Sequence, residues 1–165
     1  MVGSPAGGLS SVHWVRPGRA DIQSTALERW IVVGTDFSDG SQYALEQALG
    51  VAQDSRAHVV LVHAYEDEPG ASALADPTSK LLRQLSEEIA ASSATPRGIL
   101  VEPLVRRGPP WRKILNVATE YGAEMIVVGR SGQRGATRGA RLRGVVSRVL
   151  ALSTRSVLVA PLRAP

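Results

Sequence analysis

The sequence lacks several features that would each indicate a particular class of protein. None of the 165 residues is a cysteine, which excludes disulfide bonds, cysteine nucleophiles and thiolate metal sites. No apolar run approaches the roughly 18–20 residues needed to cross a bilayer. The first residues also lack the basic start and apolar core of a secretory signal. We therefore expect a cytoplasmic protein that does not associate with a membrane.

Aromatic and acidic residues are scarce in the last part of the chain. Aromatic residues make up 4% of the sequence, and none lies between Gly129 and the C-terminus. This segment also contains eight arginines and no acid, whereas residues 31–128 contain thirteen acids and eight basic residues. Such a basic segment is typical of an anion-binding surface or of a solvated basic face. Because it has no aromatic side chain on which a base could stack, nucleic acid is not the expected partner.

The chain divides into an arm and a single domain. Residues 1–29 are rich in glycine and serine and show no hydrophobic period, which predicts a flexible N-terminal arm. Residues 30–165 carry a regular pattern and are long enough for one domain with a sizeable core.

Short apolar runs alternate with helical patterns in this domain. Helices are predicted from a cap at Ser38 or Ser41, from an Asp76 cap with Pro77 as the first helical residue, and over 110–121 and 145–152. Pro103 marks its strand as a sheet edge, because proline cannot donate to a ladder. The alternation predicts an α/β fold with a doubly wound parallel sheet, whose strands lie at 31–33, 59–62, 99–105, 125–128 and 157–160.

The segment after the fourth strand is the strongest candidate for a binding site. Residues 129–144 contain five glycines and five arginines. Glycines let backbone N–H groups face a ligand, and such loops hold phosphate at helix N-termini. In doubly wound sheets, ligands bind beyond the carboxyl ends of strands where the strand order reverses. This geometry suggests a nucleotide.

Motifs for other chemistries are missing. The sequence has neither a Walker A lysine motif nor a dinucleotide fingerprint after the first strand. The segment from Gly129 to Gln133 resembles a nucleophile elbow but lacks its last glycine. His58 and His63 are five residues apart on one strand, so they face opposite sides and cannot share a metal. We therefore assign no catalytic residue and no metal site.

Asp36 follows the first strand and has two interpretations. A carboxylate at the carboxyl end of a strand can accept hydrogen bonds from a ribose hydroxyl or a base amine. It can equally form an Asx-turn before the next helix. Both interpretations remain open at the level of sequence.

Several segments together resemble the universal stress protein family. The resemblance covers residues 29–162 and is most specific where Thr-Asp-Phe-Ser and Ile-Val-Val-Gly-x-x-Gly occur together. The matching segments are Trp30–Ser38, Ala44-Leu45, Val62–Ala64, Ala123–Gly129 and Ser156–Ala160. The resemblance implies a five-stranded parallel sheet of order 3-2-1-4-5 flanked by helices, similar to the adenine-nucleotide alpha-hydrolase fold. It also implies a homodimer that pairs through strand 157–160.

One branch of that family binds ATP, and its pattern is matched here in part. In that branch the end of the first strand contacts the nucleoside, and the residue after the second-strand histidine meets adenine. Phosphates bind a Gly-x-x-Gly followed, after nine residues, by Gly-Ser or Gly-Thr. Here Leu142-Arg143 stands at the last position, and Gly144 comes two residues later. The implied nucleotide site comprises Gly34, Thr35, Asp36, Ala64, Gly129, Arg130, Gly132, Gly144 and Ser147.

The resemblance implies a stress-responsive regulatory protein that binds an adenine nucleotide. The expected ligand is ATP, with or without Mg²⁺, and the expected activity is at most slow ATP hydrolysis. The protein would act by dimerisation or by contact with an unknown protein partner. Two alternatives remain: a dimeric interaction module that binds no nucleotide, and polyanion binding through the basic C-terminal third.

Overall fold

Strands and helices alternate throughout the described part of the chain. The computed structural model describes residues 28–66, 77–92, 98–130 and 144–161. The elements in these ranges are β1 Trp30–Thr35, α1 Asp39–Ser55, β2 His58–Tyr65, α2 Thr78–Ala91, β3 Val101–Arg107, α3 Pro110–Glu120, β4 Met125–Gly129, α4 Val145–Leu152 and β5 Ser156–Ala160.

The five strands form one parallel sheet of order β3-β2-β1-β4-β5. This confirms the predicted fold and strand order. β3 is an edge strand, as Pro103 predicted. β1 is central, and Gly34 near its end lies opposite Val62 on β2 and Val128 on β4. The carboxyl ends of these three strands therefore meet at one edge of the sheet.

Two apolar layers cover the sheet. α1 and α2 pack on one face, and α3 and α4 pack on the other. Side chains along β1 alternate between the layers: Ile31 and Val33 join the first, and Val32 joins the second. Both faces are buried, which explains why the central strands read as continuous apolar runs.

α1 begins next to the end of β4. The Ser38 hydroxyl accepts a hydrogen bond from the Ser41 N–H at 3.3 Å, which identifies Ser38 as the N-cap. A Cβ added to Gly129 would lie 2.6 Å from the carbonyl oxygen of Gly40. Glycine at position 129 therefore permits the helix to approach the strand this closely.

Several predicted boundaries are wrong. α2 begins at Thr78, and Pro77 precedes it as the N-cap, because the Pro77 carbonyl accepts the first helical hydrogen bond from Leu81 at 2.9 Å. β3 runs over Val101–Arg107 rather than 99–105, because it pairs with β2 as far as Tyr65. The predicted strand over 59–62 omitted the polar end of β2, where the ladder continues.

Some predictions concern residues outside the described ranges. The arm over 1–29 is described only from residue 28, and Gly132 lies in the segment 131–143 outside these ranges. Within the described ranges, no helix is long and apolar enough to cross a membrane.

Candidate functional site

The candidate site lies where the strand order reverses. The chain passes from β1 to β2 on one side of β1, and it later places β4 on the other side. α1, which follows β1, and α4, which follows β4, pack on opposite faces of the sheet. In doubly wound folds, ligands bind in the crevice at the carboxyl ends of strands that are related in this way. The ends of both strands carry residues predicted to bind a nucleotide.

Gly34 lies beneath α3 at this edge. A Cβ at position 34 would lie 2.7 Å from Cδ1 of Ile114 and 3.4 Å from Cγ1 of Val128. Ile114 thus occupies the space that a larger residue would need. The absence of a side chain at Gly34 brings α3 close to the end of β1.

Thr35 is buried and joins three elements by hydrogen bonds. Its hydroxyl lies 3.1 and 3.2 Å from the two carboxylate oxygens of Glu88 on α2 and 3.0 Å from the Ser41 hydroxyl on α1. It also accepts a bond from the backbone N–H of Phe37 at 3.0 Å. Because a carboxylate only accepts, the threonine proton goes to Glu88. Thr35 therefore has a structural role facing α1 and α2.

Asp36 forms the Asx-turn that the sequence suggested. Its Oδ1 accepts hydrogen bonds from the Ser38 hydroxyl at 2.5 Å and the Ser38 N–H at 3.2 Å. The capping interpretation is thus correct, and it fixes the carboxylate at the carboxyl end of β1. A ligand contact by the same carboxylate is compatible with this turn.

Phe37 has an unusual backbone conformation beside this carboxylate. Its φ is +61°, in the left-handed region that bulky residues rarely adopt. The bond to Thr35 and a ring contact with His63, with centroids 4.5 Å apart, accompany this conformation. Backbone strain of this kind concentrates at functional sites.

Glu88 places a second carboxylate near Asp36. Burial raises the pKa of Glu88, the hydrogen bond from Thr35 lowers it, and the negative charge of Asp36 raises it further, with a net upward shift. The end of β1 is therefore locally acidic on its α2 side. Asp36 and Glu88 do not complete a metal site, since no group of three or more acids or histidines among the described residues could hold an ion.

The end of β2 contributes a histidine and a small residue. His63 Nδ1 lies 2.9 Å from the carbonyl oxygen of Thr35, and because a carbonyl only accepts, Nδ1 carries the proton. His63 thus ties β2 to the end of β1. Ala64 follows it on the strand, is half-buried, and pairs in register with Arg106 on β3.

The end of β4 offers backbone groups close to α1. Gly129 lies against Gly40 as described above, and Arg130 follows directly. The Arg130 N–H donates to the carbonyl of Ala160 on β5 at 2.9 Å, so this amide continues the sheet. The chain then enters residues 131–143, outside the described ranges.

Gly144 and Ser147 lie at the start of α4. Gly144 is the N-cap, with φ +75° and ψ −125°, a conformation that favours glycine. The Ser147 hydroxyl donates to the Gly144 carbonyl at 3.2 Å. Gly144 therefore begins the helix after the glycine-arginine segment, and Ser147 completes its first turn.

Sequence reasoning missed two groups at this edge. Glu88 was not singled out, because its contact with Thr35 depends on how α2 packs on the sheet. Trp111, at the start of α3, lies under the guanidinium groups of Arg112 and Arg148, with Cζ-to-centroid distances of 5.1 and 5.6 Å. The one available signal was a tryptophan followed by two basic residues immediately after Pro109-Pro110.

Comparisons with known proteins identify the fold and the family. Residues 29–161 match the model of the universal stress protein family. The chain is 27% identical over 143 residues to universal stress protein YxiE of Bacillus subtilis, which covers 78% of this chain and 96% of the relative.

Two solved structures add ligands to this comparison. A universal stress protein in complex with cAMP is 28% identical, with a TM-score of 0.60, covering 82% of this chain and 98% of that protein. The Archaeoglobus fulgidus universal stress protein in complex with dAMP has a TM-score of 0.61 at 23% identity, covering 82% and 99%, and shows the shared fold. Some proteins of this fold therefore bind adenine nucleotides. The chain described here belongs to the universal stress protein family.

Proposed function

We propose that this protein is a stress-responsive regulator that binds an adenine nucleotide, ATP, with or without Mg²⁺. The nucleotide would lie between the carboxyl ends of β1 and β4. The observation that carries the proposal is the 28% identical relative of the same fold, which is in complex with cAMP. The protein would act by dimerisation or by contact with a protein partner, with at most slow ATP hydrolysis.

The geometry at the strand ends supports a nucleoside contact. Asp36 is held by its turn, so a ribose hydroxyl could donate to its carboxylate without a further cost of ordering that side chain. Ala64 follows His63, which is fixed to the end of β1, and its backbone would contact the base. Gly34 and Thr35 would act by shaping this end of β1.

The phosphates would follow the connection from β4 to α4. Gly129, Arg130 and Gly132 begin this connection in the sequence, and Gly144 with Ser147 ends it at the start of α4. Backbone N–H groups at a helix N-terminus favour phosphate. The Ser147 hydroxyl lies in the first turn of α4 and would take the place of the missing Gly-Ser hydroxyl.

Asp36→Asn tests the nucleoside contact. Asparagine retains an Oδ1 acceptor for the Asx-turn but removes the charge offered to the ribose. We expect calorimetry to show about a tenfold or greater loss of ATP and AMP affinity, as for loss of a charged hydrogen bond. Asp39→Asn is the matched control, because Asp39 is the exposed first residue of α1. The nucleotide affinity of this variant should equal that of the wild-type protein.

Two results would contradict the proposal. One is the absence of binding heat with ATP, ADP and AMP at high micromolar concentration, with and without Mg²⁺. The other is an equal affinity of both variants and the wild-type protein. The first result would favour the alternative of a dimeric interaction module that binds no nucleotide.

The proposed dimer would form along β5. Among the described strands, β5 pairs with β4 alone, so its other edge is open. The Ala160 carbonyl faces β4, and since backbone groups alternate along a strand, those of Val157 and Val159 face outward. Leu150 and Leu152, on α4 just before β5, are 41% and 56% exposed.

Val157→Pro tests this dimer. Proline would remove one outward N–H without removing a donor to β4. We expect light scattering to show a weaker dimer than for Val157→Thr, which retains the N–H and the branched shape. A wild-type protein that is monomeric at tens of micromolar, or equal dimerisation of both variants, would contradict the β5 interface.

A further inference from the structure

Two arginines from different helices contact one tryptophan at the carboxyl edge. Trp111 is the second residue of α3 and is half-buried, whereas Arg112 and Arg148 are exposed. Their Cζ atoms lie 5.1 and 5.6 Å from the centroid of the indole ring, within the range of cation–π contacts. We call Arg112 and Arg148, together with the indole ring that both contact, the arginine pair on Trp111.

This group lies beside the candidate nucleotide crevice. Ile114 covers Gly34 at the end of β1, and Trp111 is three residues earlier on α3. Residues three apart share one helix face, and α3 runs antiparallel to the strands. Trp111 is therefore displaced from Gly34 toward the carboxyl edge. Arg148 lies in the first turn after Gly144, where the connection from β4 ends.

Neither guanidinium has a carboxylate partner within the described ranges. Three other arginines there do: Arg29 pairs with Glu124, Arg83 with Glu87 and Arg106 with Glu120. Both guanidinium groups lie within 5.6 Å of one ring centroid, so two like charges share one indole, and like charges repel. A role in packing α3 against α4 would require only one of them. The second arginine is better explained by an anionic ligand.

The helix dipole of α3 adds to this argument. Its first turn contains Arg112 and no acid, although a helix N-terminus favours negative charge. A local preference that is violated without a structural compensation is characteristic of functional positions. A bound anion would offset the unfavourable interaction between the Arg112 charge and the N-terminal end of the α3 dipole.

Guanidinium groups held against a ring are suited to phosphate. The ring contact restricts each side chain while leaving the planar fork of N–H donors at its edge. The two guanidiniums come from different helices, so they could bind different phosphates of one chain. A polyphosphate fits this arrangement better than a single phosphate group does.

We propose that Arg112 and Arg148, held on Trp111, bind the outer phosphates of the nucleotide and make the site selective for a triphosphate over a monophosphate. This inference rests on the proposed nucleotide site. It assigns the phosphate end to side chains of α3 and α4.

Calorimetry of the full chain with AMP, ATP and inorganic tripolyphosphate tests the inference. We expect the double variant Arg112→Gln, Arg148→Gln to lose about tenfold or more in ATP and tripolyphosphate affinity, while AMP affinity changes by less than about twofold. Trp111→Leu should show a smaller loss of the same kind, because the arginines remain but are no longer held. Arg155→Gln is the charge-matched control for the single variants Arg112→Gln and Arg148→Gln, since Arg155 is exposed and immediately precedes β5 at the opposite edge of the sheet.

The outcomes separate this inference from the proposed function. If adenine nucleotides bind and the double variant leaves the ratio of ATP to AMP affinity unchanged, the inference is wrong and the nucleotide site stands. If tripolyphosphate binds through the pair but AMP and ATP show no adenosine-dependent affinity, the nucleotide proposal is wrong and the phosphate site stands. If the wild-type protein binds none of the three ligands, both are wrong. An equal effect of Arg155→Gln would also overturn the inference, because it would indicate a general effect of charge.

Discussion

The two edges of the sheet are built differently. At the amino edge, charged and aromatic groups are paired with each other. At the carboxyl edge, a left-handed phenylalanine, two neighbouring carboxylates and the arginine pair on Trp111 lie around the ends of β1 and β4. The carboxyl edge thus holds the residues proposed to contact a ligand, whereas the amino edge holds an ion pair and a cluster of aromatic contacts. A non-glycine residue with positive φ occurs at each edge, Phe37 at one and Arg56 at the other.

The amino edge is closed by specific contacts. Arg29 and Glu124 form an ion pair of 2.6 Å, and the rings of His58 and Tyr121 lie 5.2 and 5.1 Å from Trp30. The Tyr121 hydroxyl donates to Glu102 at 2.7 Å, and burial together with this bond raises the pKa of Tyr121. These contacts stabilise the edge and leave little for a ligand to complete.

The carboxyl edge retains features that cost stability. Glu88 is a partly buried carboxylate beside Asp36, and Arg112 and Arg148 lack carboxylate partners among the described residues. Costs of this kind persist where they serve binding. Substitutions at the carboxyl edge should therefore alter binding, and those at the amino edge should alter stability alone.

The largest effect is expected for Gly129→Ala. The new Cβ would lie 2.6 and 2.7 Å from the carbonyl oxygen and carbon of Gly40, so backbone must move. Such overpacking should lower the free energy of unfolding by about 3 kcal/mol. Gly50→Ala is the control, because a Cβ there contacts nothing within 4 Å. It should raise stability by about 0.5–1 kcal/mol. Urea unfolding measures both, and equal effects would refute the close approach.

A smaller, pH-dependent effect is expected for Glu88→Gln. Because the folded-state pKa of Glu88 is raised, its stabilising contribution is fully present below the unfolded pKa of about 4.5 and is lost as the pH rises through the folded value. Glutamine carries no such penalty and can still accept the bond from Thr35. The variant should therefore be more stable than the wild-type protein at pH 7.5, and this advantage should shrink near pH 4.

Urea unfolding at the two pH values tests this prediction for Glu88. Glu87→Gln, one residue earlier, is the control, since Glu87 is exposed and pairs with Arg83. A Glu88→Gln variant that is less stable than the wild-type protein at pH 7.5, or a difference that does not depend on pH, would argue against the raised pKa.

The smallest effect is expected for Glu124→Gln at the amino edge. The ion pair with Arg29 is about half exposed, and exposed pairs contribute little and are screened by salt. Thermal unfolding should show a slight loss that vanishes as salt is added, and ATP affinity should be unchanged. A marked loss of ATP affinity would remove the functional distinction between the two edges.

Much of the fold was predictable because it depends on local patterns. Apolar runs located the strands, Pro103 located an edge, and Ser38, one of the two predicted caps, is the N-cap of α1. The boundaries of β2 and β3 were not, because their polar ends are fixed by pairing with each other rather than by hydrophobicity. α2 begins one residue later than predicted, because the Pro77 carbonyl accepts the first helical hydrogen bond and Pro77 is therefore the N-cap.

Residues of the candidate site were predictable only where their position in the sequence, at the end of a strand, indicated them. Asp36 and Gly129 were identified because each comes at the end of a strand. Glu88 and the arginine pair on Trp111 were not identified, since Arg148 and Trp111 are 37 residues apart in the sequence and Glu88 and Thr35 are 53 apart. The left-handed conformation of Phe37 accompanies contacts with Thr35 and His63, and no residue type in that turn indicated it.

Nuclear magnetic resonance with ATP tests the central claim most directly. In a titration of ¹⁵N-labelled protein, we predict that the amide signals of Gly34–Phe37, Ala64, Gly129 and Arg130 shift, and that those of Arg29, His58 and Glu124 do not. That pattern would locate the nucleotide at the carboxyl edge. Unchanged spectra at millimolar ATP, or shifts confined to the amino edge, would contradict the account.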